Sequence, residues 1–118
     1  MSSRRQLQIT KVKINAVTII SVTGSVDALT APMLAEYLAR EIQNPNPNLV
    51  IDFAELDYTS SAGLRVLLSA VKAARARGGD VRLAAMQTNV AKIFEMSGFN
   101  AILKVYPDRA RAVASFAA

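Results

Sequence analysis

The sequence predicts a small α/β domain built on a mixed sheet of four to five strands, with an N-terminal hairpin and about four helices. Short apolar runs of strand length alternate along the chain with longer segments whose apolar residues recur at helical spacing. The first two strand-like runs are separated only by a turn at Asn15, which favours an antiparallel hairpin. The length of 118 residues suits one core, so residues 1–118 are expected to form a single domain.

The hairpin is the first predicted element. Residues 6–14 alternate apolar and polar side chains, with one slip near Thr10, as a half-buried strand does. Residues 17–23 are rich in β-branched side chains, which favour a second strand. Residues 24–29, which begin with a glycine, then predict a loop.

A helix and a buried strand follow the hairpin. Thr30 can cap a helix start, and Pro32 suits the first turn. Helical spacing continues through five large residues, Met33, Leu34, Tyr37, Leu38 and Ile42. Two prolines among the asparagines at 44–48 end this helix, and the nearly all-apolar run at 49–53 predicts a strand in the middle of the sheet.

The second half of the chain continues the alternation. Residues 61–77 predict a long helix that ends at two glycines, and its buried stripe consists of Leu64, Leu67, Leu68, Val71 and Ala74. Residues 81–84 predict a buried strand, and a short helix follows it up to Gly98. Residues 102–106 predict either a last strand or an extended connection. Pro107 and Asp108 are expected to start a terminal helix. Such alternation implies parallel neighbouring strands with right-handed crossovers.

Three methionines are interpreted as packing residues. The flexible side chain of methionine fills irregular gaps in a core. We therefore expect Met33, Met86 and Met96 in the core or in contacts near a helix start.

The composition argues against an enzyme. The chain has no cysteine and no histidine, which removes thiolate metal ligands and the commonest general base. Asp27, Asp52 and Asp57 can be imagined as a catalytic set. However, Asp52 and Asp57 lie at a strand end and a turn, where Asx turns or caps are equally natural. No pattern fixes a nucleophile beside a base, so we expect no catalytic residue, no metal and no cofactor.

The charge distribution bears on possible partners. The net charge is +5, and the densest basic group, Lys72, Arg75, Arg77 and Arg82, surrounds a predicted helix end. Cations there stabilise the helix dipole, so a structural role is available. The few aromatic residues are not interleaved with cations, so we expect no direct nucleic-acid binding. No apolar run has the length of a membrane span or the pattern of a signal peptide, which predicts a cytoplasmic protein with no membrane contact.

The helix start at Ser60 and Ser61 is the most informative segment. The first turn of a helix carries unpaired N–H groups and a partial positive charge, so a phosphate on either serine is stabilised there. Arg65 lies four residues after Ser61 and therefore on the same helix face. Gly63 allows another backbone to come close. Serine and threonine before a helix are also ordinary caps, so local chemistry leaves both interpretations open.

Four blocks of sequence carry a resemblance to a known family. They read GSVD at 24–27, followed by Thr30, then VIDF at 50–53, SSAGLRVLL at 60–68 and IFEMSGF at 93–99. In their order and spacing these blocks resemble the STAS domain, specifically that of a bacterial anti-sigma factor antagonist. The resemblance covers nearly all of the chain and implies the STAS fold.

The resemblance implies a partner-switching function. The unphosphorylated antagonist binds an anti-sigma factor that is also an ATP-binding, histidine-kinase-like serine kinase, and so frees a sigma factor. The kinase phosphorylates a serine at the start of the second helix, which breaks the complex, and a phosphatase restores the antagonist. When the sequences are aligned on Gly63 and Leu64, the phosphoacceptor is Ser61.

The resemblance also implies which residues surround the phosphoacceptor or contact the partner. They are Asp27, Thr30, Thr59, Ser60, Gly63, Leu64 and Arg65. Asp27 is expected to shape the site or to contact the kinase, and Ser60 stands where the family commonly has an aspartate. The missing aspartate leaves an alternative function open. In that alternative the chain is a STAS domain that is not phosphorylated and acts as a ligand-sensing or scaffold module.

Overall fold

The computed structural model describes residues 5–117, within which six strands and four α-helices form. In chain order these elements are β1 (Gln8–Ile14), β2 (Val17–Val26), α1 (Ala31–Ile42), β3 (Asn48–Asp52), β4 (Leu56–Thr59), α2 (Ser61–Ala76), β5 (Asp80–Ala84), α3 (Thr88–Ser97), a 3-10 turn (Phe99–Ala101), β6 (Lys104–Tyr106) and α4 (Arg109–Ala114).

The strands form one mixed sheet. The order across it is β1-β2-β3-β5-β6, and β4 pairs with β2 outside this path. β1 and β2 are the antiparallel hairpin that the sequence predicts. The pairs β2–β3, β3–β5 and β5–β6 are parallel, as expected for strands joined by helical crossovers. The predicted α/β fold class and the mixed sheet are confirmed.

The sheet has one strand more than the four to five predicted, because β2 is longer than predicted and recruits β4. β2 runs past Thr23 to Val26, so the predicted loop at 24–29 is shorter. Its last residues pair in parallel with β4, with Val26 opposite Thr59. Gly24 makes this extension possible: its φ is +99°, and a Cβ there would overlap the Gln6 carbonyl oxygen. The pairing brings the residues that precede α1 and α2 side by side.

Two cores lie on opposite faces of the sheet. The larger packs α1, α2 and α3 against one face, with fully buried side chains such as Leu38, Leu67 and Phe94. The smaller lies under the short helix α4, where Ala112 packs near Ile19. Within residues 5–117 no helix is both long enough and apolar enough to cross a membrane.

The methionine predictions are partly wrong. Met86 is half-buried and packs against the larger core, as expected. Met33 is 47% exposed and Met96 is 88% exposed. Both side chains lie on the outer faces of their helices, because α1 and α3 turn Leu34 and Phe94 toward the core instead.

Three of the four clustered basic residues have a structural role, which the sequence allows, but they act through specific contacts that the sequence did not predict. Arg75 Nε and Arg82 Nε donate to the buried Asp80 carboxylate at 2.8 and 3.0 Å. Arg77 Nη2 donates to the Gln43 carbonyl oxygen at 2.8 Å. These arginines tie the end of α2 to β5 and to the end of α1.

Candidate functional site

The start of α2 is held against the end of β2. The Ser60 backbone is extended, with φ −89° and ψ 174°, and its N–H donates to the Val26 carbonyl oxygen at 2.8 Å. The helix begins one residue later, and the Leu64 N–H closes its first turn on the Ser60 carbonyl oxygen at 3.2 Å. The β2–β4 pairing therefore fixes where Ser61 lies.

The three successive hydroxyls have different environments. Thr59 is only 3% exposed, and its hydroxyl donates to the Ser60 carbonyl oxygen at 3.2 Å. The Ser60 Oγ atom is buried and finds no hydrogen-bond partner among residues 5–117. Ser61 alone is exposed, as the first residue of α2. Within the described chain none of these hydroxyls caps α2, so the helix-cap interpretation is wrong.

We call the first three N–H groups of α2 its open amides, because none of them has a backbone acceptor among the described residues. Leu64 is the first residue of the helix whose N–H has a backbone acceptor in the part of the chain that is described. The N–H groups of Ser61, Ala62 and Gly63 therefore point out of the helix start, where the helix dipole adds a partial positive charge. A phosphate on the Ser61 oxygen is attached directly at this positive end.

Gly63 is required by a close approach of side chains. It is buried, and a Cβ there would overlap Thr59 Oγ1 and would come within 2.9 Å of Val26 Cγ1. The sequence predicts a close approach at this position but attributes it to another backbone. The neighbours are instead side chains from the ends of β4 and β2.

We expect Gly63→Ala to lower the free energy of unfolding by about 1 kcal/mol. Overpacking a tight site costs roughly 1–3 kcal/mol, and the better helix propensity of alanine offsets part of it. Urea unfolding followed by circular dichroism measures the change. In the Thr59→Ala background the same substitution should cost less, because Thr59 Oγ1 is gone. Equal costs in both backgrounds would show that the Thr59 contact does not require the glycine.

Asp27 and Thr30 fix the loop that lies next to this helix start. Asp27 Oδ1 accepts from the N–H groups of Leu29 and Thr30 at 2.9 and 3.0 Å. The Thr30 hydroxyl accepts from the Asp27 N–H at 2.9 Å. Thr30 precedes α1, but its hydroxyl faces back into the loop and does not cap the helix, so the predicted cap is wrong. The loop carries Leu29 outward with 89% of its surface exposed, which the sequence did not predict.

Leu64 and Arg65 have opposite environments. Leu64 is 5% exposed and anchors the first turn of α2 in the larger core. Arg65 is exposed and forms no ion pair with any residue that the structure describes. Because it lies one turn after Ser61, its guanidinium is available to an anion on that serine.

The carboxylates considered as a catalytic set are engaged in structural contacts. Asp52 Oδ1 accepts from the Ala54 N–H at 2.9 Å, which is the Asx turn that the sequence allowed. Asp57 forms an ion pair with Arg5 at 2.7 Å, and this hydrogen bond lowers the pKa of Asp57. Asp27 holds its own loop. No group of three or more acidic residues within residues 5–117 is arranged to bind a metal.

A groove of about 560 Å³, which the sequence did not predict, lies between α1 and α2. We call it the interhelix groove. Its walls include Ala31, Ala35 and Ala39 of α1 and Arg65, Ser69 and Ala73 of α2. The available signal was a second row of small residues at helical spacing beside each core stripe.

The comparisons with known proteins agree with this architecture. A family profile for the STAS domain matches residues 8–112, and the chain belongs to the STAS domain family. The candidate anti-sigma factor antagonist BtrV of Bordetella bronchiseptica is 36% identical over 110 residues, which cover 93% of this chain and 95% of BtrV.

Two solved structures share the fold. An anti-sigma factor antagonist from Mycobacterium paratuberculosis superposes with a TM-score of 0.86 at 22% identity, covering 93% of each chain. The phosphorylated form of SpoIIAA, a Bacillus cell fate determinant, superposes with a TM-score of 0.69 at 17% identity, covering 93% of this chain and 98% of SpoIIAA.

Proposed function

We propose that this protein is an anti-sigma factor antagonist that binds a kinase-type anti-sigma factor and is released when Ser61 is phosphorylated. One observation carries the proposal: Ser61 is the exposed hydroxyl of three, and it stands at a helix start with open amides and with Arg65, which has no ion pair within residues 5–117. The name of BtrV supports the antagonist role. Phosphorylated SpoIIAA supports the view that this fold accommodates a phosphate.

The chemistry belongs to the partner. The kinase transfers the γ-phosphoryl group of ATP to the Ser61 oxygen, a base of the kinase takes the hydroxyl proton, and ADP leaves. A phosphatase later hydrolyses the phosphate ester. The protein itself contributes a reachable hydroxyl and an unmodified binding surface, so we regard it as a regulator and not as an enzyme. These partners place it in the cytoplasm.

The phosphate acts on the complex rather than on the fold. At the start of α2 the added charge of about −1.5 to −2 is stabilised by the helix dipole and the open amides. In a fitted interface the same charge would have to be buried against the partner without its water, which is costly unless it is paired. Phosphorylation therefore leaves the domain folded and disfavours binding.

Phosphotransfer tests the assignment of Ser61. The kinase is the ATP-binding anti-sigma factor that co-purifies with the wild type from its native host, identified by mass spectrometry and then expressed alone. With ATP and magnesium it should add one phosphate to the wild type and to Ser60→Ala, and none to Ser61→Ala. The reason is access, because Thr59 is buried and the Ser60 hydroxyl is enclosed. Unchanged labelling of Ser61→Ala would refute Ser61 as the acceptor.

The ligand-sensing alternative rests on the same open amides. Because Ser60 stands where the family commonly has an aspartate, one negative charge fewer opposes a free anion at this helix start. Intact mass spectrometry of protein purified from its native host separates the two functions. Only the switch produces a form that is heavier by one phosphate on Ser61. If that form is absent from protein purified under every growth condition tested, the anion-sensing or scaffold function is favoured.

A further inference from the structure

The interhelix groove is long, open and apolar. It follows most of α1, a helix of 12 residues, which corresponds to a length of about 18 Å at 1.5 Å per residue. On α1 its wall repeats every four residues at Ala31, Ala35 and Ala39. On α2 the wall repeats in the same way at Arg65, Ser69 and Ala73. Apart from Arg65, these side chains are small, and they leave room between the two helices for bulkier side chains from outside.

This shape suits an α-helix better than a compact small molecule. Small residues spaced one turn apart, three on α1 and two on α2, match the ridge of side chains that an amphipathic helix presents at positions i, i+4 and i+7. The length of the groove corresponds to about three turns of such a helix. An open groove would leave much of a small ligand in water, whereas ligand pockets bury most of the ligand surface.

The charges around the groove indicate the chemistry of the occupant. α2 has no acidic residue, and its cations are Arg65, Lys72 and Arg75. Arg75 is paired with Asp80, whereas Arg65 lines the groove and has no ion-pair partner in residues 5–117. On α1, Glu36 is paired with Arg40 at 3.1 Å and does not line the groove. Among the described residues the groove therefore presents one available cation, Arg65, which a carboxylate would complement.

We propose that the interhelix groove is the docking site for an amphipathic α-helix of the anti-sigma factor, with large apolar side chains between α1 and α2 and an acidic side chain on Arg65. This rests on the proposed function, because it takes the partner from there. It also explains the release. A phosphate on Ser61 lies one helical turn from Arg65, so it pairs with that guanidinium and withdraws it from the carboxylate of the partner.

The absence of native cysteines allows a direct footprint of the groove. Ala73→Cys places a single thiol in the groove, and Ala110→Cys places one on α4, on the opposite face of the sheet. The purified anti-sigma factor should slow maleimide alkylation of the thiol at position 73 about tenfold and leave position 110 unchanged, because a docked helix excludes the reagent.

Affinity measurements by calorimetry complete the test. Ala73→Phe should weaken binding about tenfold by filling the groove, while the matched Ala110→Phe should not. Arg65→Gln should also weaken binding, again about tenfold, because the acidic side chain of the partner is left without its cation. Ser61→Asp should cost a smaller factor in the Arg65→Gln background than in the wild type, because part of its effect acts through Arg65.

The outcomes separate this proposal from the phosphorylation switch. The docking site is wrong if Ala73→Phe binds the anti-sigma factor within about twofold of the wild type, or if the thiol at position 73 is not protected. The phosphorylation switch would still stand if Ser61→Asp lost its affinity for the anti-sigma factor as expected. If the groove variants lose binding but Ser61→Asp does not, docking stands and the switch fails. If the thiol becomes protected at high concentration of this protein without the partner, the groove binds a second copy. If dodecanoate alone protects the thiol, the groove binds an amphiphile. Either result would overturn the proposal. Failure of any kinase-type partner to bind the wild type refutes both.

Discussion

Ser61→Asp is expected to stay folded and to lose about 100-fold in affinity for the anti-sigma factor, which corresponds to about 2.7 kcal/mol. The carboxylate lies at the start of α2, where an anion adds about 0.3–1 kcal/mol to helix stability. In the complex it must be buried against a surface that fits a neutral serine, and removing a charge from water costs several kcal/mol even where Arg65 partly compensates it. Calorimetric titration gives the affinity, and urea unfolding gives the stability.

Ser61→Asn is the matched control for charge. Asparagine has nearly the shape of aspartate but no charge, and Ser61 is exposed, so the substitution should cost little stability. It should retain most of the affinity if charge is what releases the partner. An equal loss in both variants would show that size at position 61 matters and not charge. An Asp variant that binds as tightly as the wild type would refute the switch.

The order of elements was predictable because it depends on local pattern. Apolar alternation in 6–14 and helical spacing in 61–77 each need only neighbouring residues, and both predicted elements are present. The fourth strand was not predictable in this way. Residues 56–59 are short and mixed in polarity, and they become a strand only because β2 extends far enough to pair with them. That pairing is a contact between distant segments, which local periodicity does not contain.

The candidate site shows the same division. The sequence places hydroxyls at a helix start and a cation one turn later, and the structure places Ser61 and Arg65 accordingly. What separates Ser61 from Thr59 and Ser60 is burial of the hydroxyl. The two earlier residues are held at the end of β2, where Thr59 lies opposite Val26 and the Ser60 N–H donates to the Val26 carbonyl oxygen. The interhelix groove depends on how α1 and α2 pack. In the sequence alone, the row of mostly small residues on each helix looks like part of a weak core stripe. The groove exists only once the two helices pack side by side.

A second large effect is expected at Asp80, far from Ser61. Asp80 as a whole is 6% exposed, and its carboxylate accepts from Arg75 Nε, Arg82 Nε and the Val81 N–H. Arg82 also donates to the Ser115 carbonyl oxygen at 2.7 Å, and its guanidinium lies 4.0 Å from the centre of the Phe116 ring. Asp80 therefore joins α2, β5 and the segment after α4.

Asp80→Asn should lower the free energy of unfolding by about 3 kcal/mol, because breaking a buried ion pair leaves the remaining charge uncompensated. The Arg82 side chain is only 14% exposed and cannot recover full hydration. Glu36→Gln removes a carboxylate from an exposed pair with Arg40 and should cost about 0.5 kcal/mol or less. Urea unfolding of both variants at neutral pH makes the comparison. A loss at Asp80 no larger than that at Glu36 would show that the cluster contributes little.

The same cluster sets a pH dependence whose sign follows from the pKa of Asp80. Burial acts to raise this pKa, but hydrogen bonds from Arg82 and Arg75 outweigh it, so the pKa lies below the usual value. The folded state therefore binds the Asp80 proton less readily than the unfolded chain. The resulting stability is fully present above pH of about 4 and is lost as the pH falls through the lowered value. Unfolding free energies measured from pH 6 down to pH 2.5 should fall more steeply for the wild type than for Asp80→Asn. Parallel curves would show that Asp80 has the same pKa in the folded and unfolded states. That result would contradict its ion pairs with Arg75 and Arg82.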